Sequence, residues 1–128
     1  MKVLFVDDEP LNRKVLEEML GASGIDVSEA PDAAAGLSMM DAERFDVILM
    51  DQRMPGMDGL SAIETIRARS DDRAGVPVVL VTADASIDLP ERAKAAGADG
   101  MVRKPIDMDT LFDAMAGAMF ARDALVLT

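Results

Sequence analysis

Three short apolar runs constrain this chain more than any other feature. Val3–Val6, Val47–Met50 and Val78–Val81 are continuous rather than alternating. A half-exposed strand alternates apolar and polar residues, whereas a continuous run buries both of its faces. Two shorter runs, Ile25–Val27 and Met101–Val102, join them. Helix-patterned segments lie between. Leu11, Val15, Met19 and Leu20 fall at helical spacing, as do Leu60, Ile63 and Ile66, then Leu111, Met115 and Met119; Leu37 and Met40 mark a weaker second helix. Pro10 suits a first helical turn, and Gly21 and Gly24 suit its exit. Pro31-Asp32 opens the second helix and Asp58 suits the N-cap of the third. Asp88 with Glu91 has capping-box spacing for a fourth helix, with Pro90 in its first turn and Gly97 ending it after about two turns. The fifth helix is expected to end near Phe120. Alternation of this kind predicts a single doubly wound α/β domain, a parallel sheet of five strands with five helices on its two faces.

Each long run ends in a chemical group. Val3–Val6 meets Asp7-Asp8-Glu9, Val47–Met50 meets Asp51, Val78–Val81 meets Thr82, and Met101–Val102 meets Arg103-Lys104-Pro105. All lie at the carboxyl ends of predicted strands, the edge where open α/β sheets bind ligands. Asp7, Asp8 and Asp51 would crowd carboxylates into one crevice, which is costly unless a cation compensates. Lys104 supplies one positive charge. Mg²⁺ would supply the rest, being a hard ion that takes a few carboxylates and keeps some waters. A carboxylate beside such an ion can attack phosphorus to give an aspartyl phosphate, with Lys104 and the Thr82 hydroxyl stabilising the transferred oxygens. Taken singly, each residue has a plainer role. Asp7 or Asp8 also suits an N-cap, Thr82 a strand-end hydroxyl and Lys104 a surface charge. Asp51 is harder to explain as a cap, because Pro55 and Gly56 separate it from the next helix.

Composition removes several alternatives. The 128 residues carry 13 Lys and Arg against 24 Asp and Glu, a net charge of −11. That surplus argues against a nucleic-acid backbone or an anionic membrane as a direct partner. The absence of Cys and His excludes disulfides, Cys/His zinc sites, thiol nucleophiles and imidazole bases. No apolar stretch approaches the ~18 residues of a membrane span. The N-terminal apolar run is too short for a signal peptide, so the cytoplasm is the expected compartment.

Four ordered motifs now stand together: Val6-Asp7-Asp8-Glu9-Pro10; Asp46–Asp51 followed by Met54-Pro55-Gly56-Met57-Asp58-Gly59; Pro77–Thr82-Ala83; and Gly97-Ala98-Asp99-Gly100 leading to Lys104-Pro105. With them the chain resembles a response-regulator receiver domain from Val3 to Phe120. The resemblance implies a (βα)5 fold with strand order 2-1-3-4-5. It implies a receiver domain over 1–120 and a C-terminal tail over 121–128, either a helix extension or a linker remnant. Asp51 resembles the phosphoacceptor. Asp8 and Asp51 resemble direct Mg²⁺ ligands, with the Arg53 backbone carbonyl as a third, Asp7 acting through water, and Mn²⁺ as the alternative ion. Lys104 resembles the residue that pairs with the acid and then the phosphoryl group, and Thr82 the hydroxyl that moves toward it. The Lys104-Pro105 bond is expected to be cis, giving Pro105 a structural role. A histidine kinase or histidine phosphotransfer protein is the implied donor and a downstream protein the implied target. The chain would be a switch that catalyses its own phosphorylation and dephosphorylation, as a monomer or a phosphorylation-dependent dimer. The stretch Asp8–Lys14 resembles receivers of hybrid kinases and phosphorelays more than transcriptional ones.

Three positions invite separate readings. Met101 stands where most receivers carry Tyr or Phe, either as a substitute packing residue or as a partner contact. Arg53 and Asp84 lie two residues after Asp51 and Thr82, places that tune phosphoryl lifetime in the family. Opposite charges there would pair across the crevice mouth, unless both are merely solvated. Met54 and Met57 divide between core packing and an adaptable loop surface, and Asp26, Glu29, Asp71 and Asp72 read as solvated charge. Ala121–Thr128 is too short for an effector domain, so the chain would act by binding others or as part of a longer one. Two rival readings remain. One is a degenerate receiver serving only as an interaction module, against which the intact Asp8, Asp51, Thr82 and Lys104 count. The other is a Mg²⁺-dependent phosphatase with an Asp nucleophile; haloacid-dehalogenase enzymes usually place a second Asp where this chain has Arg53.

Overall fold

The computed structural model describes residues 1–127, with side chains through residue 122. Five strands form one parallel sheet: β1 (Lys2–Val6), β2 (Asp26–Ala30), β3 (Val47–Asp51), β4 (Val78–Thr82) and β5 (Gly100–Arg103). Their order is β2-β1-β3-β4-β5, as expected. The helices are α1 (Pro10–Gly21), α2 (Ala33–Ala42), α3 (Gly59–Arg67), α4 (Leu89–Ala96) and α5 (Met108–Leu127). Among the described residues, no helix is long and apolar enough to cross a membrane.

The continuous runs do bury both faces. Leu4, Val6, Ile48, Met50, Val78 and Leu80 point toward α2, α3 and α4, against Met40, Ile63, Ile66 and Leu89. Val3, Phe5, Val47, Leu49, Val79 and Val81 point the other way, against Leu16 and Leu20 of α1 and Leu111 and Met115 of α5. Successive residues of a strand face opposite sides, so each apolar run feeds both layers.

Local chemistry sets several helix ends. The Asp32 carboxylate accepts from the Ala35 amide and Asp58 from the Ser61 amide, capping α2 and α3. Gly97 ends α4 at φ 108°, in the left-handed region that favours glycine. Several expectations need correction. The Asp88 side chain makes no cap bond, because its own backbone is already helical at φ −83°, ψ −7°. Leu11 and Val15 are exposed, while Leu16 and Leu20 are the buried residues of α1, so the apolar stripe is only partly the core face. β2 runs on to Ala30, since pairing with β1 continues from Lys2 opposite Asp26 to Val6 opposite Ala30. A 3₁₀ turn at Asp72–Gly75 precedes β4. Asp71, Asp72 and Glu29 are exposed as expected, but they pair with Arg69, Arg44 and Arg13. α5 continues past Phe120 to Leu127. The side chains of Leu125, Val126 and Leu127, and all of Thr128, lie outside the described residues, as does any subunit contact or linker role of the tail.

Two glycines test this packing from opposite directions. A Cβ on Gly59 would collide with the Asp51 carbonyl oxygen and stand 2.9 Å from the Gln52 Cα, both of them backbone atoms. Gly59→Ala is therefore expected to destabilise the fold by about 2–3 kcal/mol in denaturant unfolding. Gly117, exposed within α5, has nothing within 4 Å. Gly117→Ala should stabilise by roughly 0.5–1 kcal/mol through helix propensity alone.

Candidate functional site

Four strand ends converge at the carboxyl edge of the sheet. The ladder bonds continue one step past the strands, with the Asp7 amide donating to the Ala30 carbonyl at 3.1 Å and the Lys104 amide to the Thr82 carbonyl at 2.8 Å. This registers Asp7, Asp51, Thr82 and Lys104 around one cleft of about 330 Å³, which Asp8, Glu9, Asn12, Arg53 and Asp84 also line. Asp7, Asp8 and Asp51 each offer a carboxylate oxygen, all within 4.8 Å of one another.

The partners of these groups differ. Asp7 is fully buried. Its Oδ2 accepts from Lys104 Nζ at 2.8 Å and from Asn12 Nδ2 at 3.4 Å, and its Oδ1 accepts from the Glu9 amide at 2.9 Å. Neither Asp7 nor Asp8 caps α1, whose N-cap residue is Glu9, so the plain capping reading fails for both. Asp51 is 6% exposed. Its Oδ1 accepts from the Gln52 amide at 2.9 Å and lies 3.5 Å from Lys104 Nζ. Burial, and then the negative charge of Asp7, push the Asp51 carboxyl up to about 6, although Lys104 and the Gln52 amide pull the other way. Thr82, 1% exposed, receives the Asp84 amide on its Oγ1 at 2.9 Å.

Arg53 and Asp84 do meet at the mouth, 3.4 Å apart, with the Arg53 side chain 77% exposed. The Asp84 carboxyl is held below its usual range, first by the Ser86 hydroxyl and next by the Ser86 amide. The Lys104-Pro105 bond is cis. Met101 stands apart from the cleft. It is half-buried on β5 opposite Leu80, packed against the core layer on the α4 side. Met54 is buried and Met57 exposed. Glu9 lines the cleft beside Asp7 and Asp8; sequence reasoning missed Asn12 in the lining, and it missed Gln52, a buried polar side chain behind Asp51. A polar residue directly after an apolar strand was the signal for Gln52.

The donor set suits a hard divalent cation. Three carboxylates face one ammonium, so negative charge is left uncompensated, and every ligand atom is oxygen. Asp7, Asp8 and Asp51 are grouped closely enough to hold it.

Comparison with known proteins places this geometry in context. Residues 3–116 match the family described as Response regulator receiver domain. The chain is 36% identical to the chemotaxis protein CheY of Pseudomonas aeruginosa over 113 residues, covering 87% of this chain and 90% of that protein. It is 34% identical to the sensor histidine kinase RcsC of Salmonella typhimurium over 116 residues, covering 91% of this chain. It spans only 12% of the length of that kinase. The solved structure of the chemotaxis response regulator CheY4 of Vibrio cholerae superposes with a TM-score of 0.82 at 31% identity, covering 91% of this chain and 97% of that one.

The crowding has a measurable consequence. The folded chain binds the Asp51 proton more tightly than the unfolded chain, whose carboxyl has the ordinary 3.8. This group's contribution to stability is therefore fully present below pH 3.8 and lost as pH rises through about 6. Asp51→Asn is expected to stabilise the metal-free chain at pH 7 by about 1–2 kcal/mol, less than the full shift implies because the cleft opens to water. The gain should vanish near pH ~4. Denaturant unfolding in a chelator at the two pH values checks this, and an equal gain at both contradicts it.

Proposed function

The chain belongs to the response regulator receiver domain family, whose members are signalling switches of two-component systems, and from that premise we propose that Asp51 accepts a phosphoryl group from the phosphohistidine of a partner. One observation carries this reading. A buried Asp51 carboxylate faces an open cleft beside two further carboxylates, with Lys104 Nζ 3.5 Å away. The likeness to a segment of a sensor histidine kinase supports a histidine kinase or histidine phosphotransfer protein as donor.

An Asp51 oxygen forms its bond to phosphorus as the P–N bond to the partner's imidazole breaks. The electron pair of that bond stays on the imidazole nitrogen, and the ring leaves neutral with the proton its other nitrogen already carries, so no acid from this chain is needed. When bound, Mg²⁺ (or Mn²⁺) held by Asp8, Asp51 and the Arg53 carbonyl, with Asp7 through water, supplies positive charge against the phosphoryl oxygens. Lys104 already divides its ammonium between Asp7 at 2.8 Å and Asp51 at 3.5 Å, so it needs only a small shift to meet an oxygen on Asp51. The Thr82 hydroxyl accepts from the Asp84 amide, which leaves its proton to donate to the phosphoryl group. Hydrolysis reverses the state, with water attacking phosphorus and Asp51 leaving as the carboxylate. Both steps use the chain's own groups, so it is a switch that catalyses its own phosphorylation and dephosphorylation.

The added charge of roughly −2 draws Thr82 and Lys104 inward and changes the face formed by α4, β5 and α5. Helix α4 has only eight residues, of which Leu89 and Ala93 are buried, so few side chains hold it to the core. A downstream protein then reads that face, where Met101 takes the place of a rotating ring and acts by packing.

Incubation with Mg²⁺ and acetyl phosphate is expected to give one phosphoryl adduct by intact mass, and none with Asp51→Ala. Rapid turnover of varied phosphoesters would instead mark a phosphatase, and no adduct on the native chain a degenerate module. The Arg53–Asp84 pair restricts water at the mouth. An exposed pair is worth little, so Arg53→Ala should speed loss of the adduct by about two- to five-fold. An unchanged rate removes the gate.

A further inference from the structure

Gln52 follows the phosphoacceptor directly, yet it is 6% exposed and turned away from the cleft lining. All of its polar groups are engaged. Its Oε1 accepts from the Leu60 amide at 2.8 Å and its Nε2 donates to Asp58 Oδ2 at 3.3 Å. Its carbonyl accepts from the Gly59 amide at 2.9 Å, and its amide donates to Asp51 Oδ1. Residues 53–58 leave and return between these bonds as a loop closed at its base. Among the described residues, no backbone–backbone hydrogen bond joins 53–57 to the rest of the domain. Met54, 8% exposed, adds an apolar anchor. Dispersion contacts fill space but set no direction, whereas a carboxamide bonded at both ends fixes orientation.

We infer that Gln52 is a positioning residue: its buried carboxamide ties the β3–α3 loop to the start of α3, and so fixes where Arg53 presents its carbonyl and guanidinium over the carboxylate cleft. The consequence is a divalent-ion affinity that depends on a side chain which never touches the ion. Groups that orient ligands in this way typically govern affinity as strongly as some ligands do. The inference rests on reading the cleft as a divalent-cation site. It goes beyond that reading in assigning a role to a residue outside the ligand set.

Gln52→Met keeps the volume and deletes both side-chain hydrogen bonds. Calorimetric titration of the whole chain with Mg²⁺ alone at neutral pH is expected to show binding weakened about ten-fold. Asp58→Ser is a gentler second variant. It keeps a capping oxygen for the Ser61 amide and removes the partner of Gln52 Nε2, so it should weaken Mg²⁺ binding by about three-fold and still fold. Ile66→Val, a core change in α3 without polar loss, is the control for stability, read from melting without metal. It should lower the melting temperature and leave Mg²⁺ affinity unchanged. The inference is overturned if Asp58→Ser, and Gln52→Met where it folds, bind Mg²⁺ as tightly as the native chain. It is overturned equally if Ile66→Val weakens binding as much as they do. A native chain that takes up no Mg²⁺ is a separate result, which overturns the cation reading and the inference together.

Discussion

The side chains of β1, β3 and β4 pack against helices on both faces, so a charged group placed within those strands would lose its water with nothing to replace it. Charge is therefore expelled to the strand ends. At the carboxyl end the ladder extends one residue past β1 and β5, while Asp51 and Thr82 are the last residues of β3 and β4. This places Asp7, Asp51, Thr82 and Lys104 in one ring without any loop having to reach across. The precision of the cleft comes from the sheet, because the functional groups ride on its most buried elements.

Within the cleft, negative charge exceeds positive and is shared unequally. Asp7 has a full set of partners, Asp51 has fewer, and Asp8 is half-buried. Among the described residues, Lys104 is the one cation paired with both buried carboxylates. A single ammonium serving two carboxylates makes their states interdependent. Whatever neutralises or extends Asp51 changes what Lys104 does for Asp7, and through the Lys104–Thr82 backbone bond it acts on β4 as well. The raised Asp51 carboxyl expresses this crowding. It is also the reason the cleft suits a divalent cation: the fold bears an electrostatic cost that such an ion relieves.

Much of this was legible because it depends on short-range rules. Continuous apolar runs give doubly buried strands, and an acid after such a run lies at the sheet edge. Asp32, Asp58 and Gly97 terminate helices through their own side chains or their lack of one. What was not legible depends on neighbours distant in sequence. The capping spacing of Asp88 and Glu91 is genuine, but the backbone around Asp88 is already helical and leaves the cap unmade. Leu11 and Val15 share the helical period of the core residues, yet among the described residues they stay exposed. Gln52 shows nothing in the sequence beyond its polarity. Its partners Leu60 and Asp58 become neighbours only when α3 folds back on the end of β3.

The opposite edge of the sheet is built on a different principle. There the Asp99 carboxylate, 7% exposed, takes Arg67 at 2.9 Å and Arg122 at 2.7 Å. Arg67 also donates to the carbonyls of Gly97, Ala74 and Val76. Two guanidiniums share one carboxylate, so the cluster keeps a net positive charge, and it clamps the ends of α3 and α4, together with α5, to the start of β4, where Asp99 also receives the Val78 amide. Helix α4 therefore has one end bound into a hydrogen-bonded ion cluster, through the Gly97 carbonyl. Its other end has an unmade cap, with Ile87 97% exposed beside it. That second end follows Thr82, Asp84 and Ser86, which are linked in turn by hydrogen bonds from the cleft outward. Asp84 is held as well by Arg53 and by Arg103, so the path from Thr82 to α4 is bonded at each step. The two edges of one sheet thus carry opposite excess charge, negative where Asp7, Asp8 and Asp51 gather and positive at the Asp99 cluster, and α4 spans between them with Leu89 packed into the core.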